Sequence, residues 1–197
     1  MPFKVFKRLK RLPGNQDGFS LVEMLTALAV LGIVLAIAIP NFSKWKEKHE
    51  INGQAQKVYL DLMLARASAV RSNNNVLVVF NTAGNSYKVH SDTDGDGVED
   101  AGEQIKNVNL EEYSQFAYNT GITDIDGNSV SAAVSFSGSQ TVTFDSRGQA
   151  SASGSVFLLH KNDVSKTNER ARYLSVLQAT GSVEYWSYDA SKTPPWS

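Results

Sequence analysis

Gly18-Phe19-Ser20-Leu21-Val22-Glu23-Met24-Leu25 opens the stretch FSLVEMLTALAVLGIVLAIAI, residues 19–39, which Pro40 closes. Of its 21 residues Glu23 alone is charged. As a helix rising ~1.5 Å per residue the stretch is about 31 Å long, which matches the hydrocarbon core of a bilayer. Its apolar residues fall on every side of such a helix, so the segment suits lipid better than one face of a soluble core. A carboxylate in that setting persists when it meets a cation, which makes Glu23 a functional candidate.

Working outward toward the N-terminus, Lys4, Lys7, Arg8, Lys10 and Arg11 precede the run against Asp17 alone. The positive-inside rule then places the N-terminal end in the cytoplasm and everything after Pro40 outside. A removed secretory signal is the other reading, and Ala36-Ile37-Ala38 resembles a small-x-small cleavage site. Against it, the apolar run exceeds the ~7 to 15 residues of an ordinary signal core and carries a carboxylate near its start.

Beyond Pro40 the polarity rises through Lys44, Lys46, Glu47, Lys48, His49 and Glu50. Ile51, Ala55, Val58, Leu62, Ala65 and Ala69 then recur at alternating gaps of four and three, the stripe of an amphipathic helix that Asn73-Asn74-Asn75 ends. The period changes after that. Val76–Phe80 and Tyr87–Val89 around Gly84-Asn85 read as a hairpin, and further strands are expected at Val130–Phe136, Thr141–Phe144, Ser155–Leu159, Tyr173–Gln178 and Val183–Tyr188. The fold class is α+β, a long N-terminal helix packed on an antiparallel β-sheet domain. Its parts are a leader over 1–18, a transmembrane helix over 19–39, an amphipathic continuation over 40–72 and an extracytoplasmic β domain over 73–197.

With 197 residues, 42% hydrophobic and 20% charged, the chain has room for one soluble domain beside the span. The absence of cysteine excludes disulfides, thiolate nucleophiles and sulfur-built zinc sites. No phosphate-binding loop, His-Glu-x-x-His, Gly-x-Ser-x-Gly or dinucleotide turn occurs, and His49, His90 and His160 read as surface or strand residues, so no enzyme is expected.

One motif carries chemistry of its own. Asp92-Thr93-Asp94-Gly95-Asp96-Gly97-Val98-Glu99-Asp100-Ala101-Gly102-Glu103 fits the twelve-residue calcium-loop pattern at every position. Asp92, Asp94, Asp96, the Val98 carbonyl, Asp100 and bidentate Glu103 would complete an oxygen shell suited to Ca2+. Six acids without a base would otherwise repel one another. A strand ending near His90 before the loop and one from Ile105 after it make this a lone loop at 92–103, outside a paired helical hand. The other reading is a solvated acidic loop.

The octapeptide Gly18 to Leu25, after a basic leader and before an apolar run ending in Pro40, resembles the processing signal of type IV pilins and type II secretion pseudopilins. Leu62 to Arg71 with Asn75-Val76, Phe144-Asp145-Ser146-Arg147-Gly148 and the late Thr180-Gly181 turn are similar to GspH/FimT-type minor pseudopilins. The resemblance implies that a prepilin peptidase cuts between Gly18 and Phe19 and methylates the new Phe19 amine, leaving 179 residues. It also implies that Glu23, fifth after the cut, pairs with the terminal amine of a neighbouring subunit. The chain is then a minor pilin or pseudopilin, a structural subunit of a type II secretion pseudopilus or type IV pilus. It would be anchored by a single pass in the bacterial inner membrane and partnered by other pilins in a filament. A pilus-associated adhesin or DNA-uptake receptor is the alternative, with Tyr185, Trp186, Tyr188 and Trp196 as candidate stacking residues, although strand aromatics more often pack. DNA-binding members of the family carry Gly-Arg-x-Arg in the last turn. Here Gly181 is followed by Ser182, Val183 and Glu184, and the chain after residue 18 has a net charge of −5, so no strong nucleic-acid binding is expected. Arg66 and Arg71 read as a solvated helix flank.

Overall fold

The computed structural model describes residues 18–197; of the expected leader, residues 1–17 lie outside the described residues. Helix α1, Leu21–Ser72, belongs to both of the chain's compact units, which divide after Ser43. In the N-terminal unit every described residue is exposed, from Phe19 at 80% through Leu31 at 51% to Phe42. The helix is long and apolar enough there to cross a membrane. Pro40 lacks the N–H that its turn of helix would use, and side-chain donors stand beside the gap. Asn41 Nδ2 donates to the Ile37 carbonyl and Ser43 Oγ to the Ile39 carbonyl, both at 3.2 Å.

The second unit, Lys44–Ser197, holds the rest of α1 and nine strands among its described residues. Ile51, Ala55, Val58, Leu62, Ala65 and Ala69 are all fully buried, so the stripe is the helix's packed face. Asn73 takes a left-handed φ of 54° and turns the chain out of the helix. β1 (Asn75–Asn81), β2 (Ser86–Asp92), β3 (Gln104–Asn109) and β6 (Thr141–Phe144) form one antiparallel sheet in the order β3-β2-β1-β6. β4 (Ser114–Phe116), β7 (Gly154–His160), β8 (Arg172–Val176) and β9 (Val183–Ser187) form a second in the order β4-β7-β8-β9, with β5 (Val134–Phe136) also on β7. The alternation of side chains sends Val76, Val78, Phe80 and Val142 from one sheet and Val134, Val156, Leu158 and Leu174 from the other into one core with the helix stripe. A second cluster, built on Phe157, Tyr173 and Trp196, fills the far side of the second sheet.

The strand domain therefore differs from the expectation in three ways. The strands divide into two sheets, because β1 pairs only with β2 and β6 while β7 gathers β4, β5 and β8. The expected strand over 130–136 is shortened to Val134–Phe136, since Val130 N–H instead donates to the Ile122 carbonyl of a neighbouring loop at 3.3 Å. β4, three residues long, carries no period that a sequence reading detects.

Candidate functional site

At the N-terminal signature Gly18 and Phe19 precede the first turn of α1, and Glu23 lies in that turn, where a carboxylate suits the helix's positive end. Thr26 Oγ1 donates to the Glu23 carbonyl oxygen at 2.9 Å. Among the described residues no cation stands against the Glu23 carboxylate.

The acidic loop joins β2 to the edge strand β3, since Asp92 ends one and Gln104 begins the other. Asp92 is buried, and its Oδ1 accepts from the backbone N–H groups of Gly95 at 2.9 Å and Gly97 at 3.3 Å. Asp94 Oδ1 accepts from Asp96 N–H at 3.2 Å and Asp96 Oδ1 from Val98 N–H at 2.7 Å. These turns need Gly97 at φ 76°, a left-handed backbone that glycine adopts without a Cβ clash. Carboxylate oxygens of Asp92, Asp94 and Asp96 thereby lie within 4.8 Å of one another, an arrangement of hard oxygens that fits Ca2+.

The other two expected carboxylates, Asp100 and Glu103, do not join that group. Glu103 is buried and turned to the backbone: Oε1 accepts from Thr93 N–H at 2.7 Å and Thr93 Oγ1 at 2.5 Å, and Oε2 from Asp100 N–H at 3.0 Å. Those donors hold its carboxyl below the usual range, first through the Thr93 hydroxyl. Asp100 is exposed, and the Asp96 and Asp94 charges raise its pKa. Val98 is 59% exposed. The loop also has a base at its border, Lys88 on β2, whose ammonium pairs with Glu99 at 2.8 Å. His90, on β2 two residues before Asp92, is 2% exposed with neither ring nitrogen hydrogen-bonded.

Asp61 and Arg172 are buried polar groups that escaped the sequence reading. Asp61 lies on the helix stripe three residues after Val58. Its Oδ2 accepts from the Tyr87 hydroxyl at 2.5 Å, and the Lys106 ammonium reaches its two oxygens at 2.6 and 2.8 Å. Burial, then the Asp61 bond, pushes the Tyr87 hydroxyl far above its ordinary pKa. An acid on an apolar stripe was the available signal. Arg66 corrects the expectation of a solvated flank: its Nε donates to the Gly148 carbonyl at 3.0 Å, in the corner where the Gly148 and Gly181 turns meet α1. Arg71 is exposed as expected. Arg172, 1% exposed, donates to Asn52 Oδ1 at 2.6 Å, and desolvation lowers its pKa. Of the histidines, His49 is exposed and stacks on Trp45, while His160 on β7 is buried with Nε2 3.5 Å from Glu50. Trp196 is buried against Phe157 and Tyr173, and Tyr185, Trp186 and Tyr188 are half-buried.

Two family models match the chain. One, "Type II transport protein GspH", covers residues 54–180, and the other, "Prokaryotic N-terminal methylation motif", covers residues 13–39. No curated protein sequence matches. Among solved structures, the minor pseudopilin EpsH of the Vibrio cholerae type 2 secretion system is 14% identical, with a TM-score of 0.49 over 70% of this chain and 97% of that one. The type IV minor pilin FimU of Pseudomonas aeruginosa is 13% identical, with a TM-score of 0.46 over 72% of this chain and 94% of that one.

Proposed function

The chain belongs to the GspH family of type II transport proteins, and we propose from this premise that it is a minor pseudopilin made by cleavage after Gly18 and methylation at Phe19. It is a structural subunit of a type II secretion pseudopilus or type IV pilus. The observation that carries the reading is the joining, on one chain, of the methylation motif over 13–39 to the GspH region over 54–180. The apolar helix anchors the protein in the inner membrane with the basic leader cytoplasmic and the sheets outside. A prepilin peptidase removes the leader and other pilins receive the subunit; nucleic acid and catalysis have no part.

Glu23 gives assembly its register in this reading. It offers the incoming amine of a neighbouring subunit an anion in a medium where an unpaired charge is costly, so an out-of-register subunit leaves both charges unmet. Glu23→Ala is expected to insert into the membrane as well as the wild type and to fall out of affinity-purified filaments. Equal incorporation of the variant overturns the pairing.

A second reading rests on the convergence of Asp92, Asp94 and Asp96: the loop binds calcium. These three would hold the ion, and Glu103 would join them as the fourth carboxylate on leaving its Thr93 and Asp100 donors. Bound calcium would neutralise the cluster and order the β2–β3 connection. Extracellular sites of this kind bind at about 10⁻⁴ to 10⁻³ M, and a tenfold excess over Kd stabilises the folded state by roughly 1.4 kcal/mol. Millimolar calcium added to the full chain in detergent should give binding heat and a raised Tm. Glu103→Gln and Asp92→Ala should each remove both. Absence of heat in the wild type, or a shift that survives both substitutions, overturns the assignment.

A further inference from the structure

We infer that Trp45, with Lys44 and Lys48 beside it on α1, is a docking site for anionic phospholipid headgroups at the extracytoplasmic face of the membrane. The inference rests on the reading of residues 19–39 as a membrane span with the sheets outside. Trp45 is 60% exposed, and its ring stacks on that of His49 one turn further on, with centroids 5.7 Å apart and planes at 8°. At ~100° per helical residue this pair stands almost opposite the stripe through Ile51 and Val58 that packs on the sheets. Lys44 and Lys48, one turn apart, lie on its flank, and both are exposed. The acids of the same segment are engaged elsewhere: Glu47 is held by Arg170 at 2.9 Å, and Glu50 pairs with Lys46 at 3.5 Å. Among the described residues no carboxylate pairs with Lys44 or Lys48, so their charge is presented outward.

Chain length sets what they meet. Six residues lead from Ile39 to Trp45. A helical connection keeps Trp45 within about 9 Å of the end of the span, and helical side chains lean back toward the N-terminus. The polar layer of a leaflet is about 5 to 8 Å deep, so the indole and the ammonium groups reach it. Tryptophan settles at that level, and a lysine stem follows apolar surface while its head stays among the phosphates. The residue types favour lipid over a protein partner, because lysine is depleted at protein interfaces. Lysines just beyond a span also oppose the positive-inside bias, a cost that bound anions offset. Each lysine at an anionic surface strengthens binding about fivefold, so the pair sets an upper bound of about 25-fold on the preference for an anionic over a zwitterionic headgroup.

The test is tryptophan fluorescence of the full chain in equimolar phosphatidylcholine and phosphatidylglycerol vesicles, with a headgroup spin label on one lipid or on the other. The Trp45 signal is the difference between wild type and Trp45→Phe, which keeps Trp186 and Trp196. Labelled phosphatidylglycerol is expected to quench that signal several-fold more strongly than labelled phosphatidylcholine. Lys44→Gln combined with Lys48→Gln should bring the two labels level while the chain still floats with the vesicles. The corresponding pair of Arg substitutions should keep the preference, and about 1 M salt should erase it. Equal quenching by the two labels in the wild type, or a preference that survives the paired Gln substitutions, overturns the inference. Quenching by neither label in a chain that floats with the vesicles places Trp45 against protein, as on a neighbouring subunit's helix, and overturns it as well. A chain that does not float with the vesicles defeats the span and the docking site together.

Discussion

Gly181 carries a constraint that its neighbours do not. Its φ is 59°, and a Cβ built on it would stand 2.0 Å from the Gly148 carbonyl oxygen and 3.2 Å from Arg66 Nε. That oxygen is the acceptor of the Arg66 bond, so the two turns and the helix close on one another through backbone that cannot retreat. Gly181→Ala should lower stability by about 3 kcal/mol, the sum of left-handed strain and overpacking, and a melting curve of the full chain checks it. A change within ~0.5 kcal/mol, typical of a surface site, would show that the corner opens freely. Sequence alone placed Arg66 on a flank because its acceptor lies 82 positions away, and nothing local announces so distant a contact. Glu23 stands out in the sequence for the opposite reason, since a single charge in a 21-residue apolar run is conspicuous without any partner in view.

Along the helix, the alternation of gaps of four and three predicts which side is covered, and neighbouring leucines test it. Leu62 is fully buried and Leu60 is 61% exposed. Leu62→Ala should cost 2 to 5 kcal/mol, from roughly the usual range for a cavity in a core, whereas Leu60→Ala should stay within about 0.5 kcal/mol. Equal Tm losses would mean that the helix is turned otherwise. The stripe was readable because a helix packed on one side must repeat near 3.6 residues, and the first hairpin because Gly84-Asn85 separates two apolar runs. The division into two sheets was not, since pairing partners of strands far apart in sequence leave no periodic trace. Of the ligands expected of the acidic loop, Asp92, Asp94 and Asp96 bring carboxylates together, while Thr93 and Asp100 N–H groups hold Glu103 apart from them.

At the scale of the whole molecule, function lies in two unlike units. In one, the described residues 18–43 are all exposed, and the other is a domain of two sheets and the rest of α1 around a buried core. A chain with such an uncovered helix needs lipid and then neighbours of the same kind, as a filament subunit does. Meeting that need begins with a new N-terminus. Intact-mass spectrometry with N-terminal sequencing of the protein extracted from membranes of its native host tests it most directly. The expected chain has 179 residues beginning at N-methylated Phe19; a mature terminus at Ile39, or an uncut chain beginning at Met1, rules out a processed filament subunit.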